Sequence, residues 1–159
     1  MNSTSILTGL WDYGWLRHDT VPLSPAAADW EMIQQYVGSP AFHTSFLPND
    51  QDEQGIHGPF QAGLLSAEDY LPLHEAELER YLESLEVSEK AGEDLDERDK
   101  ILHHFRHPFA GGCKCYVLRR DEHDKDLFHD WGFVLFVFRE FLFVGPQRDR
   151  LERFVVGYD

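Results

Sequence analysis

Residues 133–144, FVLFVFREFLFV, constrain this chain more than any other segment. Apolar side chains occupy both odd and even positions, so a strand built from them has no face left for solvent. Both sides must therefore be covered by other parts of the chain. Arg139 and Glu140 interrupt the run. Twelve residues are also too few for a helix to cross a bilayer, which takes about 20. No apolar stretch reaches that length, and the first residues lack the basic start and apolar run of a signal peptide. The expectation is a cytoplasmic protein with no membrane partner.

Extended patterns surround that run. Residues 113–120 read as a strand, 121–126 as a charged turn and 153–158 as a last strand. Two readings remain open for Arg139 and Glu140. They form a tight hairpin turn, unsupported by glycine or asparagine, or they lie within one long bent strand.

Upstream the periodicity is mostly helical. Trp11, Tyr13 and Trp15 alternate in a short strand over residues 6–16. A helix over 25–37 is expected, with Ser24 as its cap, Pro25 at its first position and Trp30, Ile33 and Val37 as its buried stripe. Ser66 and Asp69 resemble a capping box that opens a short turn. Residues 72–91 show Leu78, Tyr81, Leu82 and Leu85 at helical spacing, closed by Gly92. A further helix over 94–104 turns Leu95, Ile101, Leu102 and Phe105 inward, and Pro108 blocks it. Residues 38–63 hold four glycines and three prolines and read as a long loop containing His43 and His57.

The pattern predicts one α+β domain over residues 1–159. Three to four helices, with a helix-rich part at 1–108, pack on an antiparallel sheet of three to four strands within 113–159. With 159 residues, 42% of them hydrophobic, the chain buries a core without disulfide staples.

Charge narrows the function. The chain carries 29 acids and 14 bases, a formal charge of −15. That balance repels nucleic acid phosphates and favours basic partners. Residues 68–99 alone hold 13 acids and 3 bases. Glu75, Glu79, Glu83 and Glu86 recur at steps of three and four, along one side of the expected helix. A solvated flank is the plain explanation. The functional one is a small binding protein, not an enzyme, whose glutamate face engages a basic protein, as an inhibitor or immunity-like protein would.

Metal chemistry is the second reading. Residues 103–115, HHFRHPFAGGCKC, place His103 and His107 four apart, with Cys113 and Cys115 on one strand face beyond a Gly-Gly turn. Two imidazoles and two thiols suit a tetrahedral zinc ion, and His123 or His129 could replace either imidazole. The spacing is not a zinc-finger pattern, and Pro108 disfavours helical geometry at His107. In the plain reading the histidines meet a helix C-terminus and the cysteines are small buried side chains. A nucleophilic cysteine would need a histidine partner and a lowered thiol pKa. Cys113 and Cys115 stand too close for a long-range staple and are expected to be reduced thiols. A third reading is a small enzyme with its pocket under the loop at 38–63.

Overall fold

The part of the two-sided apolar run that the structure describes, residues 137–144, is an interior strand, and residues 133–136 lie outside the described residues. The structure is a computed structural model that describes residues 5–11, 14–46, 54–84, 95–121, 123–130, 132 and 137–158. In chain order its main elements are β1 (Ser5–Trp11), β2 (Gly14–Pro22), α1 (Asp29–Val37), β3 (Ile56–His57), β4 (Phe60–Gln61) and β5 (Tyr70–Leu73). They continue with α2 (Glu75–Ser84), α3 (Leu95–Ala110), β6 (Lys114–Leu118), β7 (Val137–Val144) and β8 (Arg150–Tyr158). Six strands form one sheet in the order β1-β2-β8-β7-β6-β5, every neighbouring pair antiparallel. β3 and β4 form a separate two-stranded hairpin. No helix among the described residues is long and apolar enough to cross a membrane.

This corrects the expected sheet of three to four C-terminal strands. Half of the large sheet lies before residue 108: β1, β2 and β5. The strand expected over 6–16 falls on β1 and the start of β2, and the rest of β2 escaped detection because its sequence, GWLRHDTVP, puts charges where a covered strand should be apolar. Those charges are paired inside the protein. The helix predicted over 72–91 took in the end of β5, yet Pro72 lies in a strand at the sheet edge, where a missing N–H costs least. Arg139 and Glu140 lie inside β7 and form no turn; both are buried.

Side chains alternate between two cores. Phe138, Leu142 and Val144 of β7 join Leu151 and Val155 of β8 and Trp15 and Val21 of β2 on one face. Met32, Ile33 and Tyr36 of α1 cover it, with Phe42, Phe46 and Phe60 from the long connection. On the other face Phe141, Phe143, Phe154 and Val156 meet Leu78 and Leu82 of α2 and Ile101 and Phe105 of α3. The helices thus lie on both sides of the sheet.

Local differences have local causes. α1 starts at Asp29 because residues 23–26 run along the β7–β8 turn, where Leu23 and Ala26 donate to the carbonyls of Asp149 and Arg148. Ser24 caps nothing; the Gln35 side chain bonds its backbone. The buried stripe is Met32, Ile33 and Tyr36, which leaves Trp30 41% exposed. The Ser66–Asp69 capping box is present, and opens a 3₁₀ turn at Ala67–Asp69. α3 runs through Pro108 to Ala110. The ring removes the N–H that would bond the carbonyl of His104. Aromatic packing offsets that loss: Phe105 is wholly buried against Phe141, Phe143 and Phe154, with ring centroids at 4.8, 5.2 and 5.0 Å, and Phe109 packs on Phe143. Gly112, at φ 78°, then turns the chain into β6.

Gly157 faces Trp15 across the β2–β8 ladder. A methyl group there would stand 2.2 Å from the buried Trp15 ring. Gly157→Ala is therefore expected to destabilise the fold by about 1–3 kcal/mol. Urea unfolding checks this, and an unchanged midpoint would contradict the packing described.

Candidate functional site

Three groups of polar side chains stand out. The first is buried. Glu140, on the α1 side of β7, is 0% exposed. Its Oε1 accepts from the Tyr36 hydroxyl at 2.5 Å. Its Oε2 accepts from Tyr70 at 2.7 Å and from Nε2 of His57 at 2.6 Å. Nδ1 of His57 lies 2.7 Å from the carbonyl of Phe42, so both ring nitrogens have an oxygen partner. Phe42 stacks on that ring at 3.9 Å.

Arg153 extends the network. It donates to the Tyr36 hydroxyl and to the carbonyl of Ala41, while Nε and Nη2 clasp Asp19 at 3.0 and 2.7 Å. Arg17 bonds the same carboxylate at 3.1 Å. Burial alone would raise the Glu140 carboxyl pKa. The charges of His57 and Arg153 and the hydrogen bonds from His57 and Tyr36 reverse that, and hold it below the usual carboxylate range. Among the described residues every buried side-chain polar atom has a partner. Tyr36, Tyr70, His57, Arg153 and Asp19 are all nearly inaccessible. The arrangement ties the long connection to the sheet and leaves no group facing a substrate.

The second group lies on the opposite face, in a cleft of about 720 Å³ between the C-terminal half of α3 and strands β2 and β8. His103, His104 and His107 come from α3; His18 and Thr20 come from β2, and Arg150, Glu152 and Phe154 from β8. Glu152 accepts from His18 at 2.7 Å and from Thr20 at 2.8 Å. His18 also stacks on Phe154 at 4.2 Å. Burial and the neighbouring His103 and His18 lower the pKa of His104. Burial and the charge of Glu152 raise the Cys113 thiol.

The predicted zinc ligands divide between two environments. His103, His107 and Cys113 line the cleft. Cys115 is buried in the core under α2 and α3, where burial raises its thiol pKa strongly. No three His, Cys, Asp or Glu side chains among the described residues form a group able to hold a metal ion. His123 and Asp121 pair on a turn, and His129 bonds the carbonyl of Gly58. Both thiols are shifted away from the thiolate, the opposite of what a nucleophile needs. Under the described part of the connection at 38–63, Phe42, Phe46 and Phe60 fill the space.

The third group is the outer face of α2. Leu78 and Leu82 point inward, and Glu75, Glu77 and Glu79 are exposed. Glu75 and Glu79 have no ion pair among the described residues. The Glu83 side chain and Glu86 lie outside the described residues.

Sequence reasoning missed Glu140, Tyr36, Tyr70, Arg153 and Asp19. A charged pair inside an otherwise apolar run was the available signal, because a carboxylate there must either turn outward or find buried donors. No family model, curated protein or solved structure matches the chain.

The Glu140 pKa is depressed by folding, so the unfolded chain binds its proton first as pH falls. Its contribution is complete above the ordinary glutamate range and is lost as pH drops below about 4. Glu140→Gln is expected to cost about 3–5 kcal/mol at neutral pH, because His57 and Arg153 lose their buried counter-charge. The variant should also flatten the acid side of the stability profile. Denaturation across a pH series measures both effects, and a near-neutral variant would overturn this account of the network.

Proposed function

We propose that the protein is a non-enzymatic binding protein that engages a basic protein partner through the acidic flank of α2. What carries this reading is the uneven pairing of charge. Around the sheet, acids have cationic partners: Asp19 with Arg17 and Arg153, Asp29 with Arg148 and Lys114, Asp69 with Arg120, and Glu152 with Arg150. Glu75 and Glu79 are exposed one helical turn apart with no such partner among the described residues. Sequence spacing carries the same register to Glu83 and Glu86.

Like charges at this spacing repel by a few tenths of a kcal/mol per pair. A basic surface laid against them relieves that repulsion. Complementary potentials also speed encounter and select the partner. The inward stripe of Leu78 and Leu82 anchors the helix, so the flank is presented on a fixed element.

Pull-down from native cells in about 0.05 M and about 0.5 M salt tests the proposal. A basic protein should be retained at low salt and released at high salt. The double reversal Glu75→Lys, Glu79→Lys should weaken capture at least about tenfold while leaving thermal stability within error, since both positions are exposed. Capture that ignores salt or the reversal, or failure to retain any basic protein, overturns it.

A further inference from the structure

The cleft between α3 and the sheet is separate from the α2 flank and has the opposite chemical character. Four of the nine histidines, His18, His103, His104 and His107, line it, with Arg150 at 63% side-chain exposure. Pro146 is exposed at its rim, while Phe143, Phe154 and Pro108 are buried beneath its floor. Its size falls in the usual range for small-molecule sites. Imidazole rings offer donors at their nitrogens and flat faces for stacking, and beside the Pro146 ring they suit a ligand with one anionic end and one flat apolar end. We propose that this cleft binds a small organic anion, an oxyanion group on an aromatic or similarly flat body, in its histidine-protonated form.

Every charged group facing the cleft bears on that choice. Glu152 accepts from His18 and Thr20, with Arg150 3.7 Å away. Asp149 lines the β7–β8 turn and is exposed. Cys113 contributes a neutral thiol. With neutral imidazoles, Asp149 and Glu152 outweigh Arg150, and an anion gains little. Protonation reverses this balance, because each imidazolium adds a charge and a second donor. His104 resists protonation owing to burial and to His103 and His18. An anion between these rings offsets that repulsion, so its binding takes up a proton. The metal alternative lacks a ligand group among the described residues, whereas anion binding needs only donors converging on one space.

Phenyl phosphate is the probe, with phenol and inorganic phosphate as comparison arms. Histidine ring resonances followed by NMR at about pH 5.5 and about pH 8 give the readout. Phenyl phosphate should give saturable shifts at His18 and His104 at the lower pH, with affinity at least about tenfold weaker at the higher pH. Both comparison compounds should bind more weakly.

His104→Gln and, separately, the rim variant Arg150→Gln should each lower affinity at the lower pH by about tenfold. The second variant lies far enough into solvent to leave folding intact. Equal affinity at both pH values, phenol binding as tightly as phenyl phosphate, or shifts spread over all nine histidines would overturn the assignment. So would the absence of any saturable response. Glu75→Lys, Glu79→Lys should leave this binding unchanged, which separates failure here from failure at the α2 flank.

Discussion

A carboxylate buried at the centre of the sheet is the interaction on which the rest of the structure depends. Moving an isolated charge of that kind out of water costs many kcal/mol, more than the net stability of a typical domain. Glu140 is tolerated because Tyr36, Tyr70 and His57 reach it with short hydrogen bonds and Arg153 stands behind Tyr36. These donors come from α1, β5, the β3 strand and β8. If any of those segments shifts, the carboxylate loses a donor. The network therefore selects one arrangement of the described parts of the connection between α1 and β5, whose glycines would otherwise permit many.

The same requirement sorts charge over the molecule. Arginines are drawn into the interior and into the turns beside it, where Arg153, Arg17, Arg148 and Arg120 meet aspartates. Cations so engaged cannot neutralise Glu75 and Glu79 on the outer face of α2. The excess of negative charge on the α2 side is thus partly a consequence of how the sheet is held together.

How much was legible in the sequence followed from how each segment meets its energetic needs. That residues 137–144 are extended and covered on both faces could be read from their apolar pattern, but whether Arg139 and Glu140 form a turn or continue the strand could not. α3 could be read, apart from its extension through Pro108, and so could the Ser66–Asp69 cap, whose signal is local. β2 beyond its start was not legible: Arg17 and Asp19 mark it as surface until Arg153, more than 130 positions away, is known to pair with Asp19. Glu140 failed for the same reason, as its donors are scattered from Tyr36 to Arg153. Trp30 and Ser24 misled through local propensity, which the β7–β8 turn overrode by holding residues 23–26 extended. Within the cleft, the α3 histidines were visible as a group. That His18 would join them depended on the pairing of β2 with β8.

That pairing shapes how the chain reaches its final form. β8 fills the gap between β2 and β7, joining a hairpin made early to a meander made late. A polypeptide growing from its N-terminus must hold residues 5–22 without their neighbour until residues 150–158 have been synthesised. A two-stranded hairpin alone is marginal in water, so cooperative assembly waits for the late strand. The contacts that complete the sheet are among the most distant in sequence, which favours slow, all-or-none closure over stepwise growth. Truncation before Arg150 would then leave two unjoined fragments of sheet, each with an open edge available to other chains.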